Sequence, residues 1–171
     1  QGIAAGQPLW LGLQFAHAPH WHSYWKNPGD AGMAATFDWQ LPAGMRAGEV
    51  QWPAPVKITV GNMANYGYDG NVLLAVPVAV SQPVAGSVSV ALDASWLVCR
   101  KECVPEQGHF RLQLPAGKPL LADAAAFAAT RAAAPQTLAS ATVAAAVAKG
   151  GQSITFTSNT LPASWRGKTL N

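Results

Sequence analysis

The sequence predicts an all-β fold for most of the chain, and three observations support this prediction. Segments with a period of two recur along the first two-thirds of the 171 residues, most clearly at 9–15, 88–92 and 110–114. Clusters of turn residues separate these segments. Charged residues make up only 11% of the chain, against about 25% in an average domain. This combination is typical of an immunoglobulin-like antiparallel β-sandwich.

The first predicted strands alternate clearly between apolar and other residues. Residues 9–15 form one strand, and 21–25 form an aromatic one that the turn residues at 27–30 are expected to end. A short strand is predicted at 36–40. Pro and Gly residues then interrupt the chain before the next strand.

The middle of the chain contains a predicted strand, a loop and a second strand. Residues 56–60 are extended, 61–70 form a loop rich in Gly, Asn and Tyr, and 72–80 are apolar enough for a strand buried on both faces. Pro77 lacks an N–H, so the sequence predicts an edge or a bulge around it.

Two alternating segments flank the only two cysteines. Residues 88–92 precede Cys99, and residues 110–114 follow Cys103. This arrangement predicts two antiparallel strands joined near the cysteines, which then lie at one end of the sandwich. The sandwich is predicted to span residues 1–117.

Composition changes at 115–119, where a second region, 118–171, is predicted to begin. An Ala-rich helix is predicted at 120–133 and ends before Pro135. Strands at 138–147 and 153–157 then form a β-hairpin segment. The region is either a linker helix followed by the start of a second β-domain, or an appendage of the first domain.

The charge pattern argues against nucleic acid as a partner. Up to residue 117 there are six basic and seven acidic residues, and beyond it five and one, which gives the total of +3. Neither part has a basic stripe. No apolar run reaches the roughly 20 residues that span a bilayer. The chain starts without a charged-then-apolar leader, so a signal peptide is expected to be absent or already removed.

Cys99 and Cys103 are the leading candidates for chemistry. Two thiols separated by three residues in a turn can close into a reducible disulfide, and Arg100 and Lys101 beside them favour the thiolate. A stabilising disulfide or two idle thiols is the alternative. Zinc is disfavoured because there is no second cysteine pair.

A histidine cluster is the second candidate. His20 and His22 would share one face of a strand and, with His17, could offer copper or zinc ligands, but aromatic residues that simply cover a strand are the favoured explanation, and no metal site is predicted. The three Met residues are scattered, as core residues are. No nucleotide-binding or hydrolase motif is present.

Several ordered motifs across residues 10–115 resemble one family, the periplasmic amino-terminal domain of DsbD-type protein-disulfide reductases. The resemblance is closest to the ScsB branch, which is linked with copper tolerance. The motifs are HWHSYWKNPGDAG (20–32), WPAP (52–55), NYGYDG (65–70), SWLVC (95–99) and CVP (103–105). In DsbD itself the cysteines lie further apart.

The resemblance implies an immunoglobulin-like protein-disulfide reductase domain without a cofactor. Such a domain takes electrons from a thioredoxin-like domain of its own membrane-embedded parent protein and passes them to periplasmic thioredoxin-fold partners. This segment would be its soluble periplasmic relay. The rival hypothesis is a periplasmic copper-binding or interaction β-sandwich with a structural disulfide.

The resemblance also assigns residues. Cys99 and Cys103 match the redox pair, and Cys103 matches the cysteine that forms mixed disulfides while the other resolves them. His22 and Tyr24 match a strand that lines the active site. The segment 61–68 lies where the family places a cap over the cysteines, and the candidate shielding residues are Met63, Asn65, Tyr66 and Tyr68.

Overall fold

A computed structural model of the chain describes residues 3, 5–6, 9–84, 86–116, 123–135, 142–158 and 160. The chain divides into two compact units, Gln1–Pro135 and Gln136–Asn171. The division falls after the helix, which packs against a strand of the first unit.

The described part of the first unit consists of strands followed by one helix. Its elements in chain order are β1 (Leu9–Ala16), β2 (His22–Gly29), β3 (Thr36–Gln40), β4 (Met45–Ala47), β5 (Val56–Val60), β6 (Met63–Asp69), β7 (Asn71–Val80), β8 (Ser87–Cys99), β9 (Cys103–Pro115) and α1 (Ala124–Ala133).

These strands form two antiparallel sheets. One has the order β1-β7-β4; the other has the order β3-β8-β2-β6-β5, and β9 pairs with the other edge of β8. Inward-facing residues of the two sheets meet in two adjoining clusters. Leu11 and Val78 of the first sheet pack with Val90 of the second, and Leu74 packs with Leu92. The predicted immunoglobulin-like β-sandwich is confirmed.

The structure confirms the strands predicted at 9–15, 36–40, 56–60 and 72–80 and corrects the segment 27–30. The turn predicted there is wrong, because β2 continues to Gly29. Its pairing with β6 is irregular between the pairs Tyr24↔Gly67 and Gly29↔Asn65. Between these pairs β2 advances by five residues and β6 by two, so β2 contains a bulge. This bulge accommodates Pro28, which has no N–H for a regular ladder.

The loop predicted at 61–70 is also wrong. Only Gly61 and Asn62 form a turn, and Met63–Asp69 is strand β6. The Gly and Asn residues of this segment favour a loop, yet the segment forms strand β6 and pairs with both β5 and β2. Pairing on both sides overrides weak local β-propensity. The short strand β4 was not predicted.

Pro77 lies inside the central strand β7 and not at an edge or a bulge. It pairs in register with Trp10 of β1, and its carbonyl accepts the Gly48 N–H at 2.8 Å on the β4 side. The ladder between β4 and β7 ends at the pair Ala47↔Val78. Pro77 lies one residue beyond this pair, so its missing N–H falls outside that ladder.

Strand β9 confirms the predicted hairpin but is less buried than its alternation suggested. It pairs with β8 from Ser87↔Pro115 to Cys99↔Cys103. Leu92 and its partner Phe110 share a face, but Leu92 is buried and Phe110 is exposed. The reason is that β9 is an edge strand that the other sheet does not cover.

Helix α1 confirms the described part of the predicted helix; residues 120–122 lie outside the described residues. The Thr130 hydroxyl donates to the Leu73 carbonyl of β7 at 3.1 Å. In the second unit, β10 (Ala144–Val147) pairs antiparallel with β11 (Ile154–Thr157), as the hairpin prediction required. Residues 138–141 of the predicted strand lie outside the described residues.

Truncating a core residue tests the sandwich. Leu74 is 1% exposed, whereas Leu112 on β9 is 51% exposed. We expect Leu74→Ala to lower the free energy of unfolding by about 2–5 kcal/mol, and Leu112→Ala to change it by about 0.5 kcal/mol or less. Denaturant unfolding of the oxidised protein measures both. Equal losses would contradict the two-layer core.

Candidate active site

The cysteine pair closes the end of the β8–β9 hairpin. Cys99 is the last residue of β8 and Cys103 the first of β9, and the two are directly opposite, with their Cα atoms 4.1 Å apart. The Arg100 N–H donates to the Glu102 carbonyl at 3.0 Å, which tightens the turn. This register brings the two sulfurs together, and they form a disulfide.

The two cysteines differ in their access to solvent. Cys99 is 3% exposed, whereas Cys103 and the turn residues before it are exposed. Arg100 of that turn stacks its guanidinium over Trp21, 5.3 Å from the ring centroid. Cys103 is therefore the cysteine more open to an incoming thiol, whereas the protein covers Cys99.

Tyr24 contacts the exposed cysteine from β2. Its hydroxyl lies 3.8 Å from Cys103 Sγ, and its side chain is buried. Burial raises the pKa of Tyr24, so the hydroxyl keeps its proton at neutral pH. A protonated hydroxyl at this distance can donate to a thiolate on Cys103 and stabilise it.

His22 lies beside the buried cysteine. It is directly opposite Cys99 in the β2–β8 ladder, and its ring meets the Tyr24 ring edge-on with centroids 5.3 Å apart. Burial lowers the pKa of His22, and the nearby His17 lowers it further, against an opposing effect of Asp69. The imidazole is therefore neutral at neutral pH.

A segment after β2 covers Tyr24. Asn65 Oδ1 accepts the Ala31 N–H at 3.0 Å, and the Asp30 carboxylate accepts the Ala64 N–H at 2.8 Å. These bonds hold the segment on β6 and place Gly32 against the Tyr24 ring, where a β-carbon would overlap the ring. Gly32 also has φ of 99°, which side-chain-bearing residues rarely adopt.

The four candidate cap residues do not form a loop. Met63 is exposed on β6, Tyr66 is half-buried, and Asn65 is buried and fixed by Ala31. Tyr68 pairs with Ser23, so it faces away from Tyr24 and packs in the core, where its hydroxyl donates to Pro53 O at 2.8 Å. A shielding role for these residues stays a prediction, and the segment that covers Tyr24 is 30–32.

The three histidines of the cluster occupy different environments. His17 is half-buried with Nδ1 bonded to Gly70 O at 2.7 Å, His20 is exposed in a turn at φ of 70°, and His22 is buried. Across the described part of the chain, no group of three His, Cys, Asp or Glu side chains is arranged to hold a metal ion.

A cleft of about 400 Å³ adjoins the hairpin. It lies between the end of β1 and the β8–β9 hairpin, and Phe15, Trp21, Trp96 and Val104 line it. Val104 follows Cys103, so its side chain points to the opposite face of the hairpin from the cysteines.

The structure thus brings together His22, Tyr24, Cys99 and Cys103, the residues that the family resemblance assigned, and adds two residues to which the sequence gave no role in the site. Asp30 and Gly32 hold and cover Tyr24. Both residues belong to the motif at 20–32, in which the Asn-Pro-Gly-Asp cluster at 27–30 predicts only a turn.

The sequence profile described as "Thiol:disulfide interchange protein DsbD, N-terminal" matches residues 2–115, two-thirds of the chain. The chain belongs to this DsbD N-terminal family. The match includes the disulfide and every residue described around it. Membership implies thiol–disulfide exchange as the general activity, and the Cys99–Cys103 pair is the group that such exchange requires.

The fold comparison agrees with this assignment. A similar structure is the crystal structure of the N-terminal periplasmic domain of ScsB from Proteus mirabilis, with a TM-score of 0.62 and 21% sequence identity. The similarity covers 83% of this chain and 55% of that one, so this chain spans about half of its length. No curated protein sequence matches this chain. Within the described residues, no helix combines the length and apolar character needed to cross a bilayer.

Removing the Tyr24 hydroxyl tests its contact with Cys103. In a Cys99→Ser background, we expect Tyr24→Phe to slow alkylation of Cys103 at neutral pH about fivefold, because the thiolate loses a hydrogen-bond donor. Tyr66→Phe is the control, since no hydrogen bond joins its hydroxyl to another described residue. Unequal alkylation rates are expected; equal rates in the two variants would exclude a role for the Tyr24 hydroxyl.

The lowered pKa of His22 makes stability depend on pH. The unfolded chain binds the proton of His22 more strongly than the folded chain does. The contribution of neutral His22 to the free energy of unfolding is therefore complete above the ordinary histidine pKa and is lost as pH falls below it. We expect the free energy of unfolding to fall between about pH 7.5 and pH 5, and to fall less in His22→Gln. Denaturant unfolding at each pH measures this, and parallel curves would contradict it.

Proposed function

We propose that this chain is a periplasmic protein-disulfide reductase domain that relays electrons through the Cys99–Cys103 pair. The donor is a thioredoxin-like domain of the same membrane-embedded parent protein, and the acceptor is a periplasmic thioredoxin-fold protein. The segment itself acts as a soluble domain. The observation that carries the proposal is a disulfide at a hairpin end with one cysteine exposed and the other buried.

Reduction of a partner proceeds in two exchange steps. The Cys103 thiolate attacks the partner disulfide, one partner sulfur leaves as a thiolate, and a mixed disulfide forms. Cys99 then attacks Cys103 Sγ, the mixed disulfide breaks, and the second partner sulfur leaves. The partner gains two electrons and the pair returns to its disulfide, so the cysteines themselves carry the electrons without a further cofactor.

The roles of the two cysteines follow from their different exposure to solvent. Cys103 is exposed and has the Tyr24 hydroxyl beside it, so it meets the partner. Cys99 is covered, so a bulky partner reaches it poorly, but it is directly opposite Cys103. We assign exchange with partners to Cys103 and resolution to Cys99.

The reduction potential separates this function from a structural disulfide. A cysteine pair that relays electrons has a reduction potential in the range of glutathione and thioredoxin and equilibrates with them. Structural disulfides of exported proteins have reduction potentials below about −300 mV. A potential below that value would support the rival interaction-domain function. The arrangement of the histidines offers no support for a copper site among the described residues.

Single cysteine variants test the assignment. Offered an oxidised thioredoxin-fold protein, Cys99→Ser is expected to accumulate a covalent complex through Cys103, because no second thiol resolves it. Cys103→Ser is expected to trap at least about tenfold less, since Cys99 is covered. Non-reducing electrophoresis and mass spectrometry measure both.

The double variant Cys99→Ser/Cys103→Ser is the blank for this experiment. More complex with Cys103→Ser than with Cys99→Ser would reverse the roles of the cysteines and leave the relay in place. No complex with either variant would overturn the proposed exchange.

A further inference from the structure

His22 carries a buried ring nitrogen to which no described residue forms a hydrogen bond. The side chain is 5% exposed, and its Nε2 has no hydrogen-bond partner among the described residues. Buried polar atoms in native proteins nearly always have a partner, and an exception calls for an explanation such as a catalytic role.

The position of His22 indicates which group would use that nitrogen. His22 and Cys99 are a directly opposite pair on neighbouring strands, so their side chains lie on the same face of the sheet. In such pairs the β-carbons are about 5 Å apart, which lets an imidazole and a thiol meet. In the disulfide, the Cys99 sulfur has no hydrogen to donate. In the reduced pair it has one.

The charges around His22 keep it able to accept a proton. The titratable groups that face it are Tyr24 on its own strand, Asp69 on β6, His17 after β1 and Cys99 on β8. Burial and His17 outweigh Asp69 and lower the pKa of His22. At neutral pH the ring is uncharged, so one nitrogen has a free lone pair.

Cys99 needs such a group, whereas Cys103 does not. Burial disfavours the charged form of a thiol, and the thiolate is the attacking species. Cys103 is open to water and to the Tyr24 hydroxyl. Cys99 is covered on its strand, with His22 as the basic side chain opposite it.

We propose that His22 accepts the proton of the Cys99 thiol as Cys99 attacks the mixed disulfide held on Cys103. This inference rests on the exchange mechanism proposed above. In the step, the Cys99 S–H bond breaks and its proton moves to the imidazole, while the Cys99–Cys103 bond forms. The bond between Cys103 and the partner sulfur breaks, and that sulfur leaves with the electron pair as a thiolate. The imidazolium then loses its proton to water. In the reverse direction His22 returns a proton to Cys99.

A chromogenic aromatic disulfide tests the step without a protein partner. Reduced protein releases one coloured thiolate when Cys103 attacks the reagent and a second when Cys99 resolves the mixed disulfide. Stopped-flow absorbance separates the two phases. We expect His22→Gln to leave the first phase unchanged within about twofold and to slow the second about 100-fold at pH 7, the lower end of the range for a general base.

His20→Asn is the matched control. It removes an exposed histidine two residues away, and asparagine tolerates the left-handed backbone found there. Both phases are expected to keep their wild-type rates. An unchanged first phase in His22→Gln also shows that the variant is folded around the pair.

The pH profile supplies a readout that a merely structural role would not move. In the wild-type protein the second phase is expected to be flat near neutral pH and to fall below the ordinary histidine pKa, as His22 becomes protonated. In His22→Gln it is expected to rise about tenfold per pH unit as the thiol itself ionises.

The outcomes separate this inference from the proposed function. Equal second-phase rates and equal pH profiles in wild type and His22→Gln would overturn the role of His22 while the relay stands. A wild-type protein that releases only one thiolate would overturn both, because its pair would not exchange as a pair.

Discussion

The pairing register of β8 and β9 is the constraint on which the site depends. The two strands pair from Ser87↔Pro115 to Cys99↔Cys103, so every inward residue of the long hairpin also fixes where the cysteines meet. Because side chains alternate between faces, a slip of β9 by one residue against β8 would turn Leu114, which packs with Val90 in the core, toward the opposite face. The cost of exposing Leu114 favours the register in which the two cysteines are opposite each other.

The same sheet gives the two cysteines different exposure to solvent. On one side of β8, the neighbouring β2 places His22 against Cys99 and Tyr24 near Cys103. On the other side, β9 is an edge strand without a further neighbour in its sheet among the described residues, so Cys103 meets solvent. Cys103 is therefore exposed and Cys99 is covered, because the strand order differs on their two sides.

The bulge in β2 links the fold to the cover over Tyr24. Extra residues between Tyr24 and Gly29 let the chain fold back onto β6, where Asn65 and Asp30 hold it. Gly32 then fits against the Tyr24 ring because it has no β-carbon. Burial raises the pKa of Tyr24, so its hydroxyl stays protonated at neutral pH.

The sequence by itself determined the features that are local. Alternation at 88–92 and 110–114 predicted the hairpin and the position of Cys99 and Cys103, and the family resemblance of the motif at 20–32 implied His22 and Tyr24. Only the tertiary structure decided which residues are covered. Strand β6 has weak local propensity and exists because β5 and β2 pair with it, and Cys103 is exposed because β9 is an edge. Burial depends on neighbours distant in sequence, which a local pattern does not encode.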